Sequence, residues 1–114
     1  MHELGIVFHI IKTVEEVAKE QDIKKVSKVV LQVGEVSAVI PEYLEDCWAW
    51  ACKRNDFMNG CGLAIEPIPA VTLCDDCKKT YETIKYAKVC PYCQSENTYL
   101  IQGNEVEIKE IEVP

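Results

Sequence analysis

Histidine is scarce in this 114-residue chain, with only His2 and His9. Neither stands in a pattern with a nucleophile, so covalent catalysis of the Ser–His or Cys–His kind is not expected. No glycine-rich phosphate loop occurs, which excludes a P-loop nucleotide hydrolase. The longest apolar runs fall far short of the roughly 20 residues a membrane span needs. The opening residues lack the basic stretch and apolar core of a secretory signal. Basic side chains are outnumbered 12 to 19, a net charge of −7. Such a surface repels phosphate backbones, so nucleic acid is a poor partner. These absences lead to the expectation of a cytoplasmic protein that is not an enzyme, with no membrane and no nucleic-acid partner.

Cysteine, by contrast, is abundant: seven in 114 residues. An odd total means that not all can pair with one another, and in a reducing compartment paired cysteines more often hold metal than form disulfides. Four of them spell C-D-D-C at 74–77 and C-P-Y-C at 90–93, a C-x2-C-x12-C-x2-C spacing. Each C-x2-C aims two thiolates at one point, and two such knuckles complete a tetrahedral S₄ shell that suits Zn²⁺. Four thiolates leave no position for a catalytic water, so the site is expected to be structural. Iron is the main alternative ion. A redox dithiol is the weaker reading, because the motif occurs twice and lacks a thioredoxin-like βαβ context. Cys47 falls on the apolar stripe of a helix and reads as an inert buried thiol. Cys52 and Cys61 flank that helix's end without a site-forming spacing.

Residues 4–21 read as an amphipathic helix, with Leu4, Val7, Ile10, Ile11, Val14, Val17 and Ala18 at three- and four-residue steps and His9 facing outward. In KVSKVVLQVGEVS, Val29, Leu31 and Val33 alternate with Lys28, Val30 and Gln32, as in a strand. Pro41 suits the first turn of a second helix with Leu44, Cys47, Trp48 and Ala51 as its inner stripe. The run NGCG at 59–62 should break that helix. LAIEPIP at 63–69 suits an edge strand. The final NEVEIKEIEVP is strand-like, but Val106 and Ile108 share one phase and Ile111 and Val113 the other. A bulge near Lys109–Glu110 would restore one buried face. The expected fold is α+β: a small sheet covered by two helices, with an inserted zinc-ribbon module. Residues 1–70 and 103–114 would form the α+β domain and 71–102 the ribbon. Tyr81, Ile84, Tyr86, Tyr99, Leu100 and Ile101 are too few for a core of their own, so metal should provide much of the ribbon's folding energy.

At the start of the chain, the Met1 amine, the backbone nitrogen of His2 and its ring nitrogen can bind one ion through fused chelate rings. The Glu3 amide nitrogen offers a fourth position and its carboxylate an exchanging ligand. A planar nitrogen set favours Ni²⁺ or Cu²⁺ over Zn²⁺. By this chemistry alone, a surface histidine without a task remains an equal reading. His9, two helical turns on, cannot share the ion.

The stretches MHELGIV, VGEVSAVIPEYLEDCW and GNEVEIKEIEV, with the paired knuckles between the last two, occur in an order that resembles the hydrogenase nickel-incorporation metallochaperones, the HypA/HybF family. The resemblance spans nearly the whole chain. It implies a nickel carrier with His2 as nickel ligand, Glu3 beside it and the Met1 amine available, and with structural zinc on Cys74, Cys77, Cys90 and Cys93. It also implies delivery of Ni²⁺ to the [NiFe]-hydrogenase large subunit alongside a nickel-binding GTPase, with urease a further client in some organisms. The chain would act as a monomer or weak homodimer. Gln94 departs from the glycine that many relatives carry after the last cysteine. No histidine stands beside the zinc cysteines, so pH sensing by Cys/His exchange is not expected. The competing class is a zinc-ribbon module for protein interaction or nucleic-acid binding.

Overall fold

The computed structural model describes residues 3–114. The chain divides into two compact units. One gathers the chain up to Gln32 with Val39–Glu66 and Glu107–Pro114, and the other gathers Val33–Ala38 with Pro67–Val106.

In the first unit, helix α1 spans Glu3–Glu20 and buries Val7, Ile10, Ile11, Val14 and Ala18. The stripe is narrower than the periodicity implies: Leu4 in the first turn is exposed and Val17 is half-buried. His9 faces solvent as expected. Helix α2 spans Pro41–Lys53, with Pro41 in its first turn and Leu44, Trp48, Ala51 and Cys52 buried. Two expectations need correcting here. Cys47 is only half-buried, whereas Cys52 and Cys61 are the buried thiols. The inner stripe runs from 44 through 48 to 51 and 52, and Cys47 lies roughly 85° from its centre at 100° per residue. The helix also ends at Lys53, before NGCG. Asn55 takes over there, its Oδ1 accepting the Met58 N–H at 3.1 Å, and this turn seats Met58 in the core with no exposure. The Trp48 indole donates to the Cys61 carbonyl at 3.0 Å.

The two helices pack on each other. On their outer side Phe8 and Trp50 meet edge to face, 6.4 Å between ring centres, and the Arg54 guanidinium lies 4.1 Å over the Trp50 ring. Strands β1 (Lys28–Gly34), β2 (Gly62–Ile68) and β6 (Val106–Glu112) form a sheet in the order β2-β1-β6. As the central strand, β1 buries Val30 as well as Val29, Leu31 and Val33, which blurs the alternation. β2 is an edge strand, consistent with its Pro67. In β6, Val106 and Ile108 are half-buried and then Ile111, so the phase does slip. Glu66 ties three strands together, accepting from Gln32 at 3.2 Å and from Lys109 at 2.6 Å. The Lys109 ammonium and then the Gln32 amide hold its carboxyl below the usual range.

The second unit contains β3 (Val71–Cys74), β4 (Thr80–Glu82), the short helix α3 (Thr83–Tyr86) and β5 (Thr98–Gln102). Its sheet has the order β4-β3-β5, with both pairs antiparallel. The segment Val33–Ala38 is stitched to this unit by backbone bonds: Glu35 N–H to the Ile68 carbonyl and Val36 N–H to the Gly103 carbonyl. The Glu35 carboxylate also accepts the Ala70 N–H at 2.9 Å. The passes close on two glycines. A Cβ on Gly34 would lie 2.1 Å from the Gly103 carbonyl oxygen. One on Gly103, whose φ is +111°, would lie 2.4 Å from the Ala70 Cα. Among the described residues no helix is long and apolar enough to cross a membrane.

Candidate metal centre

Two turns of the second unit repeat one another. In Cys74–Lys79 the Cys74 N–H donates to the Lys79 carbonyl, and the Lys78 N–H returns to the Cys74 carbonyl, both at 2.9 Å. In Cys90–Ser95 the Cys90 N–H donates to the Ser95 carbonyl, and the Gln94 N–H returns to the Cys90 carbonyl, again at 2.9 Å. The fifth residue of each turn is left-handed: Lys78 has φ +62° and Gln94 has φ +66°. Gln94 is therefore a side chain standing where glycine is the unstrained choice. Gln94→Gly is expected to gain about 0.5–1 kcal/mol, the αL relief less the entropy glycine adds to the unfolded chain. The check is a thermal melt; a lower Tm would refute it.

The knuckles bring together Cys74, Cys77, Cys90 and Cys93, whose four Sγ atoms all lie within 4.8 Å of one another. Cys74 and Cys93 are 3.5 Å apart and Cys77 and Cys90 3.6 Å. Zn–S bonds of about 2.3 Å set tetrahedrally require sulfurs roughly 3.8 Å apart, so the donor set fits zinc. The thiols cannot all shed their protons unaided. Burial opposes the Cys90 thiolate, but the N–H groups of Cys93 and Tyr92 outweigh it and bring this thiol down to about 7. The Tyr92 N–H lies 3.4 Å from its sulfur. At Cys93 the Ser95 N–H favours ionisation, yet the Cys74 thiol and burial prevail and push it up to about 12. A divalent cation removes this conflict by compensating all four thiolates.

Asp76 braces the first knuckle against the chain beyond the second. It accepts from the Ser95 hydroxyl and from the Asn97 amide at 3.2 Å, while the Asp75 N–H reaches the Asn97 carbonyl at 2.9 Å. These two side-chain bonds, Ser95's first, hold the Asp76 carboxyl low. Nothing in the cysteine spacing pointed to this brace. Around the cluster only Tyr81 joins the buried cysteines as a core residue. Ile84, Tyr86, Tyr99, Leu100 and Ile101 are all exposed.

The remaining cysteines lie apart from this cluster. Burial raises the Cys52 thiol to about 11, with the nearby Cys61 adding to it, and burial raises Cys61 too. Both are protonated, unreactive core thiols. Of the N-terminal candidates, Met1 and His2 lie outside the described residues. Glu3 begins α1 and is buried, with its carboxylate accepting the Ile40 N–H at 3.2 Å. That contact joins residues 37 apart and left no trace in the helical periodicity.

Comparison with known proteins matches the whole architecture. The profile of the family described as hydrogenase/urease nickel incorporation, metallochaperone, HypA matches residues 1–113. The hydrogenase maturation factor HybF of Klebsiella pneumoniae is 34% identical over 112 residues, covering 98% of both chains. HypA of Trichodesmium erythraeum is 36% identical over 113 residues, covering 99% of this chain and 96% of that one. The solution structure of the nickel metallochaperone HypA from Helicobacter pylori superposes with a TM-score of 0.76 at 27% identity, covering 99% of this chain and 97% of the other. A metallochaperone moves metal and does not turn over a substrate, so the family sets this chain apart from enzymes. By the extent of these matches, this α+β chain with its four-cysteine cluster belongs to the HypA family of nickel-incorporation metallochaperones, the maturation factors of hydrogenase.

Proposed function

We propose that this chain binds Ni²⁺ at its N-terminus and hands it on during [NiFe]-hydrogenase maturation in the cytoplasm. The nickel donors are the Met1 amine, the backbone and ring nitrogens of His2, and the backbone nitrogen of Glu3. Zn²⁺ on Cys74, Cys77, Cys90 and Cys93 keeps the second unit folded. The observation that carries this reading is a nickel-incorporation family match extending from residue 1, where the sequence opens M-H-E. A site at a chain end serves a carrier, because protons can reclaim its backbone ligands and a recipient can approach the ion directly. The recipient is the hydrogenase large subunit and the helper a nickel-binding GTPase. The exposed Phe8–Trp50 pair on the outer side of α1 and α2 offers that GTPase an aromatic surface.

His2→Ala removes the ring nitrogen and breaks the fused chelate. Nickel affinity is expected to fall at least about tenfold, a loss of 1.4 kcal/mol or more, while zinc content and Tm hold. Calorimetric titration together with the visible band of planar Ni²⁺ measures this. Nickel binding that is unchanged in His2→Ala would overturn the reading.

A further inference from the structure

We infer that the Glu3 carboxylate is a positioning group, a latch between α1 and α2 that fixes Glu3's own backbone nitrogen, the last donor of the proposed nickel site, without ligating the ion. The inference rests on the N-terminal nickel site proposed above. Helix α2 lacks a side-chain cap of its own. The residue preceding α2 is Ile40, extended at φ −95° and ψ 111°, with no side-chain acceptor for the helix end. Pro41 follows and has no N–H to give. Helix starts normally recruit an oxygen from Ser, Thr, Asp or Asn at this place. Here another helix supplies an oxygen to the N-cap residue itself, as the glutamate of a capping box does: Glu3 Oε2 accepts the Ile40 N–H at 3.2 Å. The acceptor is anionic and sits at the positive end of α2, the favourable sign for the helix dipole.

Glu3 is also among the few buried polar side chains of the described residues, with 9% exposure. A carboxylate kept from water needs hydrogen bonds in return, and bonds to a charged acceptor are the stronger kind. The latch therefore closes one end of a helix pair whose inner stripes, Val7 and Ile10 on α1 and Leu44 and Trp48 on α2, are fully packed. Glu3 is at the same time the last residue of the proposed chelate. With its backbone nitrogen held on a rigid helix start, fewer torsions remain to be frozen when nickel binds. A planar shell is complete with four nitrogens, and the carboxylate's structural engagement leaves the ion to the backbone.

Two substitutions separate a latch from a ligand. Glutamine keeps a carbonyl that can accept the Ile40 N–H but is a poor nickel ligand; alanine keeps neither. In Glu3→Ala, nickel affinity is expected to fall roughly three- to tenfold, the scale of a few torsions regained, toward that of the free peptide MHELG, which has the same donors and no latch. The visible band of the loaded protein should not move, because the donor atoms are unchanged. Glu3→Gln should recover most of the affinity. In metal-free protein the Ile40 amide resonance should shift strongly in Glu3→Ala and little in Glu3→Gln. A Glu3→Gln protein that loses as much nickel as Glu3→Ala, with a moved band, would make the carboxylate a ligand and overturn the inference. So would a Glu3→Ala protein that binds nickel like the wild type while His2→Ala does not, an outcome that leaves the proposed site intact. Should Glu3→Ala fail to fold, the Glu3→Gln titration and the hydrogen-exchange protection of the wild-type Ile40 amide carry the test, and an unprotected Ile40 amide would count against the latch.

Discussion

Cys90→Ser is expected to empty the metal centre and unfold residues 67–106, while the helical signal of α1 and α2 persists. Little besides the metal holds this unit together. Around the metal its core is Tyr81 with the cysteines themselves; Val71 and Leu73 are only half-buried, and Ile84, Tyr86, Tyr99, Leu100 and Ile101 face solvent. Burying one tyrosine contributes a few kcal/mol at most, whereas a structural zinc contributes about 10–16 kcal/mol of apparent binding energy to folding. Cys90 is the thiol whose ionised form the backbone favours most: despite its complete burial, the Cys93 and Tyr92 N–H groups turned to it prevail. The first unit has a separate core in Val7, Val14, Leu31, Leu44 and Met58, all fully buried, and should survive. Elemental analysis and hydrogen exchange along the chain would read both halves of the result. A Cys90→Ser protein that retains one equivalent of zinc and full protection at 71–74 would refute the assignment.

Gly34→Ala should be comparably damaging without touching a metal ligand. The added carbon meets the Gly103 carbonyl at 2.1 Å, and both partners are backbone, so no rotamer change can relieve the clash. The expected cost is about 3 kcal/mol or more, at the upper end for an overpacked site. Gly62→Ala provides the control, since its nearest neighbour would be 3.7 Å away and its backbone is ordinary. Urea melts of the two variants should differ widely in midpoint. Equal midpoints would mean that the strands slide apart at little cost.

Helices α1 and α2 and the strands β1, β2 and β6 were legible because one-sided burial writes a period into the residues, as in Val7, Ile10, Ile11 and Val14. The four-thiol cluster was legible for a different reason: metal geometry constrains ligand spacing within each knuckle so tightly that C-x2-C is nearly a coordinate. What escaped were contacts between residues distant in the chain and carried by single groups. Glu3 beneath Ile40, Asp76 beneath Ser95 and Asn97, and Gly34 against Gly103 leave no period and no spacing. The burial of Cys52 in place of Cys47 was missed by a rotation of a little under one helical step. The early end of α2 followed from one Asn55 side chain winning over a later glycine pair.

The two knuckles each close their own backbone bonds within six residues, Cys74 to Lys79 and Cys90 to Ser95. Asp76, through Ser95 and Asn97, joins the two turns, so an ion taken up as the unit folds meets one two-thiol claw and then the other. Whichever claw captures first converts the second into an intramolecular ligand on a tether of twelve residues, at an effective concentration on the order of millimolar. Loading is then a two-stroke process, fast at the second stroke. Removal runs through the same half-open state, in which one claw keeps the ion and the other offers two bare sulfurs. A competing chelator would therefore strip this centre at a rate that rises with its own concentration, by stepping into the open claw, and would not have to wait for the ion to leave unaided.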